Sequence, residues 1–443
     1  MYTFKNGIHP DEFKELSKDK PITKIEPKQK LVFPMQQHIG AKATPIVKVG
    51  DDVLVGQIIG EAVGTVSSNV LSSVSGKVLS IENKYVVGGN YVESIVVEND
   101  FKYNTIESFG KKNDYKNLSN DEIIKIVKDA GICGLGGACF PTHVKLSPKE
   151  PNKIDYILVN AAECEPYLTS DYRLLKEEPE NIIEGLKVVL KLFDNAKGLI
   201  CIEDNKKDIY DNMKNLVKDI DRIDVVLLKT KYPQGGERQL IYAVTGRKIN
   251  SKILPADKGV IVDNVDTIYS IWNAVCNGVP LLRRIMTISG DAFKETFNLS
   301  VPFGVNYNDI IDAVGGFVEE PEVLISGGPM MGIPIYDLDI PVTKNSSAIV
   351  AFKKNKLKKS NETNCINCGR CVNACPIFLV PTMLYKASKQ NNMEKFIELN
   401  GLECINCGCC SFVCPAKKPL TQYFNMMKIN SRSYLASKKE ANK

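Results

Sequence analysis

The chain has 443 residues, 44% of them hydrophobic and 25% charged, with 57 Lys and Arg against 52 Asp and Glu for a net charge of +5. At about 150 residues per domain this length predicts roughly three domains, and the composition excludes a disordered or fibrous chain. No run approaches the roughly 18 uninterrupted apolar residues of a membrane-spanning helix, and Met1 to Lys20 is charged without the apolar stretch of a secretory leader. The expected place is the cytosol or the cytosolic face of a larger assembly.

Short strands are predicted over residues 31–98, where Pro45-Ile46-Val47-Lys48-Val49, Val53-Leu54-Val55-Gly56 and Ser75-Gly76-Lys77-Val78-Leu79 mix aliphatics with turn residues. Such a pattern, broken by Gly and Asp, makes a small β barrel or sandwich. Its spacing resembles a biotinyl- or lipoyl-type domain, yet Lys77 lies in Ser-Gly-Lys-Val and not in the Met-Lys hairpin of a carrier, so a structural role is expected. Asp121 to Ala130 reads as a helix, with Ser119 and Glu122 as its capping box and Gly131 as its stop. A Gly-rich loop follows. Then come a strand over Ile154–Asn160, an amphipathic helix around Asn181–Phe193, and strands over Gly198–Ile202 and Ile223–Leu228. Helices alternating with short aliphatic strands define an α/β sheet. Residues near Ile285–Val323 form a small α+β module ahead of Gly327-Gly328-Pro329-Met330-Met331-Gly332, and a cysteine-rich domain with a polar helical tail closes the chain.

Fourteen cysteines are present; Cys133, Cys139, Cys164, Cys201 and Cys276 are scattered, and the rest fall between Cys365 and Cys414. In a reducing compartment such a cluster indicates metal ligation and not disulfides. Cys365, Cys368, Cys371 and Cys375 followed by Pro376 form a C-x2-C-x2-C-x3-C-P run, repeated by Cys404, Cys407, Cys410, Cys414 and Pro415. Three thiolates at this spacing wrap one face of a cubane, while the fourth, before the Pro turn, reaches the neighbouring cluster. Cys365, Cys368, Cys371 and Cys414 are therefore assigned to one [4Fe–4S] cluster, and Cys404, Cys407, Cys410 and Cys375 to the other. Cys409 is out of register and is read as a bystander. Paired zinc sites are the competing reading, and the proline after each fourth Cys weighs against them. Two such clusters form a wire for single electrons.

Charge is polarised. Residues 351–443 carry a net +11, leaving −6 for residues 1–350, and Phe352-Lys353-Lys354-Asn355-Lys356-Leu357-Lys358-Lys359 opens the basic region. No nucleic-acid recognition fold or aromatic platform accompanies it. Docking to an acidic partner or an anionic inner leaflet and a solvated linker are both open readings.

The loop Gly131–Lys145 is dense in glycine, which lets a backbone approach a planar ring or a phosphate closely. It lacks the Rossmann fingerprint and the Gly-Lys-Ser/Thr of a Walker loop, so alone it is equally a tight packing turn. The strand ending at Asn160 runs into Ala161-Ala162-Glu163-Cys164-Glu165, two acids at a strand's carboxyl end, where α/β folds place ligands. Gly235-Gly236-Glu237 opens a helix whose N-terminus suits a phosphate, and Asn264 to Thr267 precede another. Glu163 and Glu165 could also be a solvated loop pair, and Phe140 could be core. His143 is given no role, and the cysteines near the loop are read as packing.

Gly134-x-Gly136-Gly137-x-x-Phe140-Pro141-Thr142-x-x-Lys145 resembles the flavin loop of the NADH-oxidising subunit of respiratory complex I, and Asn160-Ala161-x-Glu163-x-Glu165-Pro166, Gly236-Glu237 and Asn264-Val265-x-Thr267 follow that family in order. A closer resemblance, over essentially the whole chain, is to the C subunits of Rnf electron-transport complexes. It adds Gln37-His38-Ile39-Gly40, Pro233-Gln234-Gly235-Gly236-Glu237-Arg238, Gly327-Gly328-Pro329-Met330-Met331-Gly332 and the terminal cluster pair. The resemblance implies non-covalent FMN contacted by Gly134, Gly136, Gly137, Lys145, Asn160, Glu163, Gly236, Glu237, Asn264 and Thr267, with Phe140 and Glu165 facing NAD(H). Ala162 and Cys139 depart from the complex I pattern, which has an acid and a Gly there.

The implied fold is multidomain α/β: a barrel-sandwich domain (1–100), an FMN/NAD α/β domain (115–275), an SLBB-like β-grasp module (280–345), a basic linker (346–360), a bacterial-type 2[4Fe–4S] ferredoxin domain (361–420) and a polar tail (421–443). The implied function is that of the NAD(H)-binding subunit of a membrane-associated ferredoxin:NAD+ oxidoreductase, peripheral on the cytoplasmic face of the bacterial cell membrane. Membrane-embedded and iron–sulfur subunits would be its partners, with ferredoxin reached through another subunit, and Na+ or H+ export coupled elsewhere; no nucleic acid is involved. The alternatives are a soluble relative feeding an amino-acid reductase or hydrogenase, and an iron–sulfur relay or scaffold without nucleotide turnover.

Overall fold

The computed structural model describes residues 1–354 and 361–441. At its centre is a four-stranded parallel sheet in the spatial order Ile223–Leu228, Lys197–Glu203, Tyr156–Ala161, Val260–Asn264. These runs of Ile, Val and Leu are mostly buried, as strands covered on both faces must be. Helices Pro179–Lys191 and Val265–Asn277 pack against each other with Gly185 at the crossing, where a Cβ would stand 2.3 Å from the Ile268 carbonyl oxygen. Helix Asn120–Asp129 carries the expected capping box of Ser119 and Glu122, and Gly131 ends it at φ +66°.

Residues 30–99 build the barrel-sandwich from a four-stranded sheet (Lys30–Pro34, Asn90–Asn99, Gly76–Val86, Asp52–Val53) and a three-stranded one (Thr44–Pro45, Ile58–Glu61, Val70–Leu71). The module after residue 280 is a six-stranded mixed sheet in the order Ile22–Lys24, Phe297–Pro302, Arg283–Ser289, Ala348–Phe352, Val323–Ser326, Ile333–Pro334. Two expected boundaries move. Ala348–Phe352 is a fully buried interior strand and not linker, because five apolar residues in a row have no solvated face. Of the basic linker expected over 346–360, residues 355–360 lie outside the described residues. The first 25 residues do not stay with the barrel: Tyr2 bridges to Leu228, Ile8 to Tyr232, and Ile22–Lys24 pairs with the β-grasp sheet.

The cysteine-rich part is helical: Arg370–Ala374, Pro381–Lys389, Met393–Glu398, Cys409–Phe412 and Leu420–Ala441. Leu420, Phe424 and Met427 fall one helical turn apart and are buried with Leu384 and Phe396. The start of the expected polar tail is thus core of this domain, and its last two residues lie outside the described ones.

Candidate functional site

The Gly-rich loop lies against the carboxyl end of Val260–Asn264. It is pinned at Leu135, whose amide donates to Thr267 Oγ1 (2.9 Å), and at Gly134, whose amide donates to the Phe140 carbonyl (2.9 Å). A Cβ on Gly136 would sit 2.8 Å from Asn264 Cβ, so the close approach requires glycine, while Gly137 faces open space. Lys145 reaches back beneath the loop: Nζ donates to the Val262 carbonyl (2.7 Å) and to Asp263 Oδ1 (3.0 Å). Burial draws its pKa down, but the carboxylates of Asp263 and Glu237 outweigh this and hold it above the usual lysine range.

The structure brings the sequence-predicted residues together and divides their tasks. Asn160 Nδ2 donates to the Gly235 carbonyl (2.8 Å); Asn264 Oδ1 caps the following helix through the Asp266 amide (2.9 Å), and its Nδ2 donates to Asp171 (2.7 Å). Glu163 accepts from the amides of Asp171 (2.7 Å) and Tyr172 (3.3 Å), with Lys14 Nζ at 3.9 Å. Asn160, Glu163, Asn264 and Thr267 therefore shape the cradle, leaving the glycine backbone, Lys145 and the exposed Glu237 at its lip. Phe140 is half-buried beside them.

Glu165 has a different engagement. Its carboxylate accepts from the amides of Met330 (3.1 Å) and Met331 (3.0 Å), so the Gly327–Gly332 motif is a clasp, and a Cβ on Gly328 would lie 2.3 Å from Glu165 Oε2. Burial pushes this carboxyl up to about 7 against the pull of the two amides and Lys14.

Sequence reasoning missed several supports. Arg284 is 3% exposed, pairs with Asp266 (2.8 Å) and donates to the carbonyls of Ser346 (3.1 Å) and Leu135, tying the β-grasp sheet to the glycine loop. Buried Lys344 donates to Ser68 Oγ (3.0 Å), the Asn69 carbonyl (2.6 Å) and the Gly131 carbonyl (2.8 Å), joining three domains. Lys14 donates to the carbonyls of Glu163 (2.8 Å), Glu165 (3.2 Å) and Leu168 (2.5 Å). An Arg-Arg pair opening a strand was the one local signal; the lysines carry none.

Cys375, Cys404, Cys407 and Cys410 line one cavity, where the Leu379 amide donates to Cys375 Sγ (3.3 Å) and the Asn406 amide lies 3.5 Å from Cys404 Sγ. Cys371 is within electrostatic reach of Cys365 and Cys414. Cys409 lines the same cavity, its thiol engaged with Cys407 and its Sγ 4.0 Å from the Tyr232 carbonyl oxygen.

The residues fit both groups. Among the described residues Gln234 Nε2 and Oε1, Gln239 Oε1 and Asp263 Oδ2 are buried polar atoms without a partner; Gln239 Oε1 stands 2.6 Å from where a Cβ on Gly236 would be, and a Cβ on Gly136 would crowd Asn264. All-thiolate donor sets with backbone amides on the sulfurs suit iron–sulfur clusters. Family models agree: a barrel-sandwich hybrid domain of RnfC matches residues 2–102, the Nuo51 FMN-binding domain residues 127–273, and a 4Fe–4S dicluster domain residues 357–415. Fold and site thus define an iron–sulfur flavoprotein.

The relatives narrow this further. The chain is 44% identical over 434 residues (98% of this chain, 95% of the relative) to the C subunit of the proton-translocating ferredoxin:NAD+ oxidoreductase complex of Clostridium ljungdahlii. It is 43% identical over 440 residues (99% of each) to the C subunit of the Na+-translocating ferredoxin:NAD+ oxidoreductase complex of Acetobacterium woodii. Against the C subunit of the ion-translocating oxidoreductase complex of Rhodobacter capsulatus it is 36% identical, over 96% of this chain and 83% of the relative. The chain belongs to the family of Rnf complex C subunits.

Asp171 offers a pH test of the cradle. Burial, and then the neighbouring Glu163 carboxylate, push its carboxyl from 3.8 up to about 7. Folding then favours the protonated acid, so its stabilising contribution is complete below pH 4 and lost as pH rises through 7. Asp171→Asn is expected to gain on wild type by about 2–3 kcal/mol between pH 5 and pH 8. Thermal melts at the two pH values check this; an unchanged difference contradicts it.

Proposed function

We propose that this chain is the NAD(H)-handling subunit of a membrane-associated ferredoxin:NAD+ oxidoreductase. It binds FMN and two [4Fe–4S] clusters and works at the cytoplasmic face, where membrane-embedded and iron–sulfur subunits hold it and couple electron flow to ion export. Ferredoxin is met through one of those subunits. Among the described residues no helix is long and apolar enough to cross a membrane.

The observation that carries this reading is the contact, within one chain, of the FMN-binding domain and the dicluster domain: Tyr232 packs in one buried cluster with Cys407 and Cys409. Bound FMN supplies the exchange between two-electron hydride chemistry and single-electron chemistry. The chain's own residues supply the rest. The backbone of Gly134, Gly136 and Gly137 floors the flavin cradle, and Lys145 and the helix N-terminus at Gly236 and Glu237 serve the phosphate side. Asn160, Glu163, Asn264 and Thr267 hold the loops in place. Phe140 and Glu165 border the nicotinamide side, with Glu165 fixed by the Met330 and Met331 amides. Cys365, Cys368, Cys371 and Cys414 hold one cluster, and Cys404, Cys407, Cys410 and Cys375 the other.

Anaerobic purification followed by acid extraction tests the cofactor set. FMN equimolar with the chain, together with iron and labile sulfide for two four-iron clusters, is expected. Clusters without flavin would leave only an electron relay.

A further inference from the structure

Charge in the β-grasp module is of one sign. From Thr296 to Thr343 the sequence holds seven acidic residues and no Lys or Arg, whereas residues 351–443 carry a net +11. Asp309 and Asp312 are answered from outside this stretch by Lys28, at 3.2 and 3.1 Å. Glu319, Glu320, Asp337 and Asp339 are exposed.

The outer edge of the sheet is Ile333–Pro334, the last of its six strands, which pairs with Val323–Ser326. The Ile335 amide donates inward to the Leu324 carbonyl (2.8 Å), so the outward-facing position falls to Pro334, which has no amide hydrogen. A further strand finds no donor there, and recognition at this edge is left to side chains. Those are apolar and large: Met331 is 55%, Ile333 44% and Tyr336 93% exposed. The bond from Ile335 to Leu324 sets Tyr336 where Val323–Ser326 begins, and Glu319 and Glu320 lead into that strand. Apolar anchors with a charged rim have the make-up of an interface.

From this we infer that the outer edge of the β-grasp sheet is a docking surface for a sister subunit that presents Lys or Arg around an apolar pocket. Tyr336 is the anchor, and Glu319, Glu320, Asp337 and Asp339 are the rim that selects the partner by charge. The assignment rests on the proposed function, in which other subunits hold this chain, and it names a surface they hold. The same charges disfavour two other occupants. An anionic leaflet repels an edge that carries only acids. A second copy would have to offer its basic C-terminal region, a head-to-tail contact that the mass of the isolated chain reveals.

Co-purification with a membrane-embedded subunit of the complex, affinity-tagged in the native host, tests the surface. This chain is quantified per tagged subunit in detergent extracts at low salt and at about 0.3 M salt. Wild type is expected to be retained at low salt and partly lost at the higher. Glu319→Lys/Glu320→Lys and Tyr336→Ser are each expected to lower retention at low salt at least fivefold, with the FMN, iron and melting temperature of the released chain unchanged. Retention of either variant within twofold of wild type overturns the docking surface. So does a shift of the isolated chain from dimer to monomer in these variants with retention kept, which makes the edge a contact between copies. Wild type absent from the low-salt extracts would instead sink the proposed function.

Discussion

Lys145→Met is expected to strip FMN from the protein and to lower its stability by about 3–5 kcal/mol, while both iron–sulfur clusters stay visible by EPR. Asp263 has a fully buried side chain and, among the described residues, one cation within ion-pair distance, Lys145 at 3.0 Å. Removing only the ammonium leaves a buried carboxylate uncompensated, which costs far more than the pair is worth against apolar replacements. Two of the three Nζ hydrogens are taken by Val262 and Asp263, and one remains for the cradle above, where Gly134 is the nearest floor residue. The double variant Lys145→Met/Asp263→Asn separates the two effects. It should recover most of the stability and none of the flavin, as read by thermal melting and by acid-extracted FMN. Full flavin occupancy in either variant would remove Lys145 from the phosphate side of the site.

The crossed ligation predicts a second large effect. Cys375→Ser should halve the iron content, to about one cluster per chain, and the cluster lost should be the one served by the second cysteine block. The remaining EPR signal should then survive a further Cys410→Ser change and vanish with Cys371→Ser. The basis is the cavity that Cys375 shares with Cys404, Cys407 and Cys410, together with the Pro376 turn that carries the chain away. If Cys375 instead belonged to its own block, Cys371→Ser would leave the Cys375→Ser signal unchanged and Cys410→Ser would abolish it.

What could be read in the sequence was the chemistry that depends on short spacing. The cysteine runs, the Ser119–Glu122 capping box and the aliphatic strands are each encoded within a dozen residues, and the structure reproduces the helix start and the parallel strand set. The contacts that assemble the site are of another kind. Lys14 reaches carbonyls about 150 positions later, Lys344 reaches Ser68, and Arg284 reaches Leu135. A lysine that ends buried on carbonyl oxygens looks, in sequence, like any surface lysine. Glu165 illustrates the same limit, since its two amide donors sit in a motif 165 residues away whose role was unassigned. The lysines after Ala348–Phe352 dominate the local charge and give the segment the look of a linker, although its five apolar residues require a buried place.

On the proposed function, nicotinamide, flavin and clusters exchange electrons within this one chain. Rapid mixing of the oxidised, fully loaded protein with NADH under strict anaerobiosis, with flavin absorbance followed in time, is the decisive experiment. Immediate bleaching is expected, and it should be abolished in the flavin-free Lys145→Met variant. Flavin that stays oxidised in the presence of excess NADH would contradict the claim.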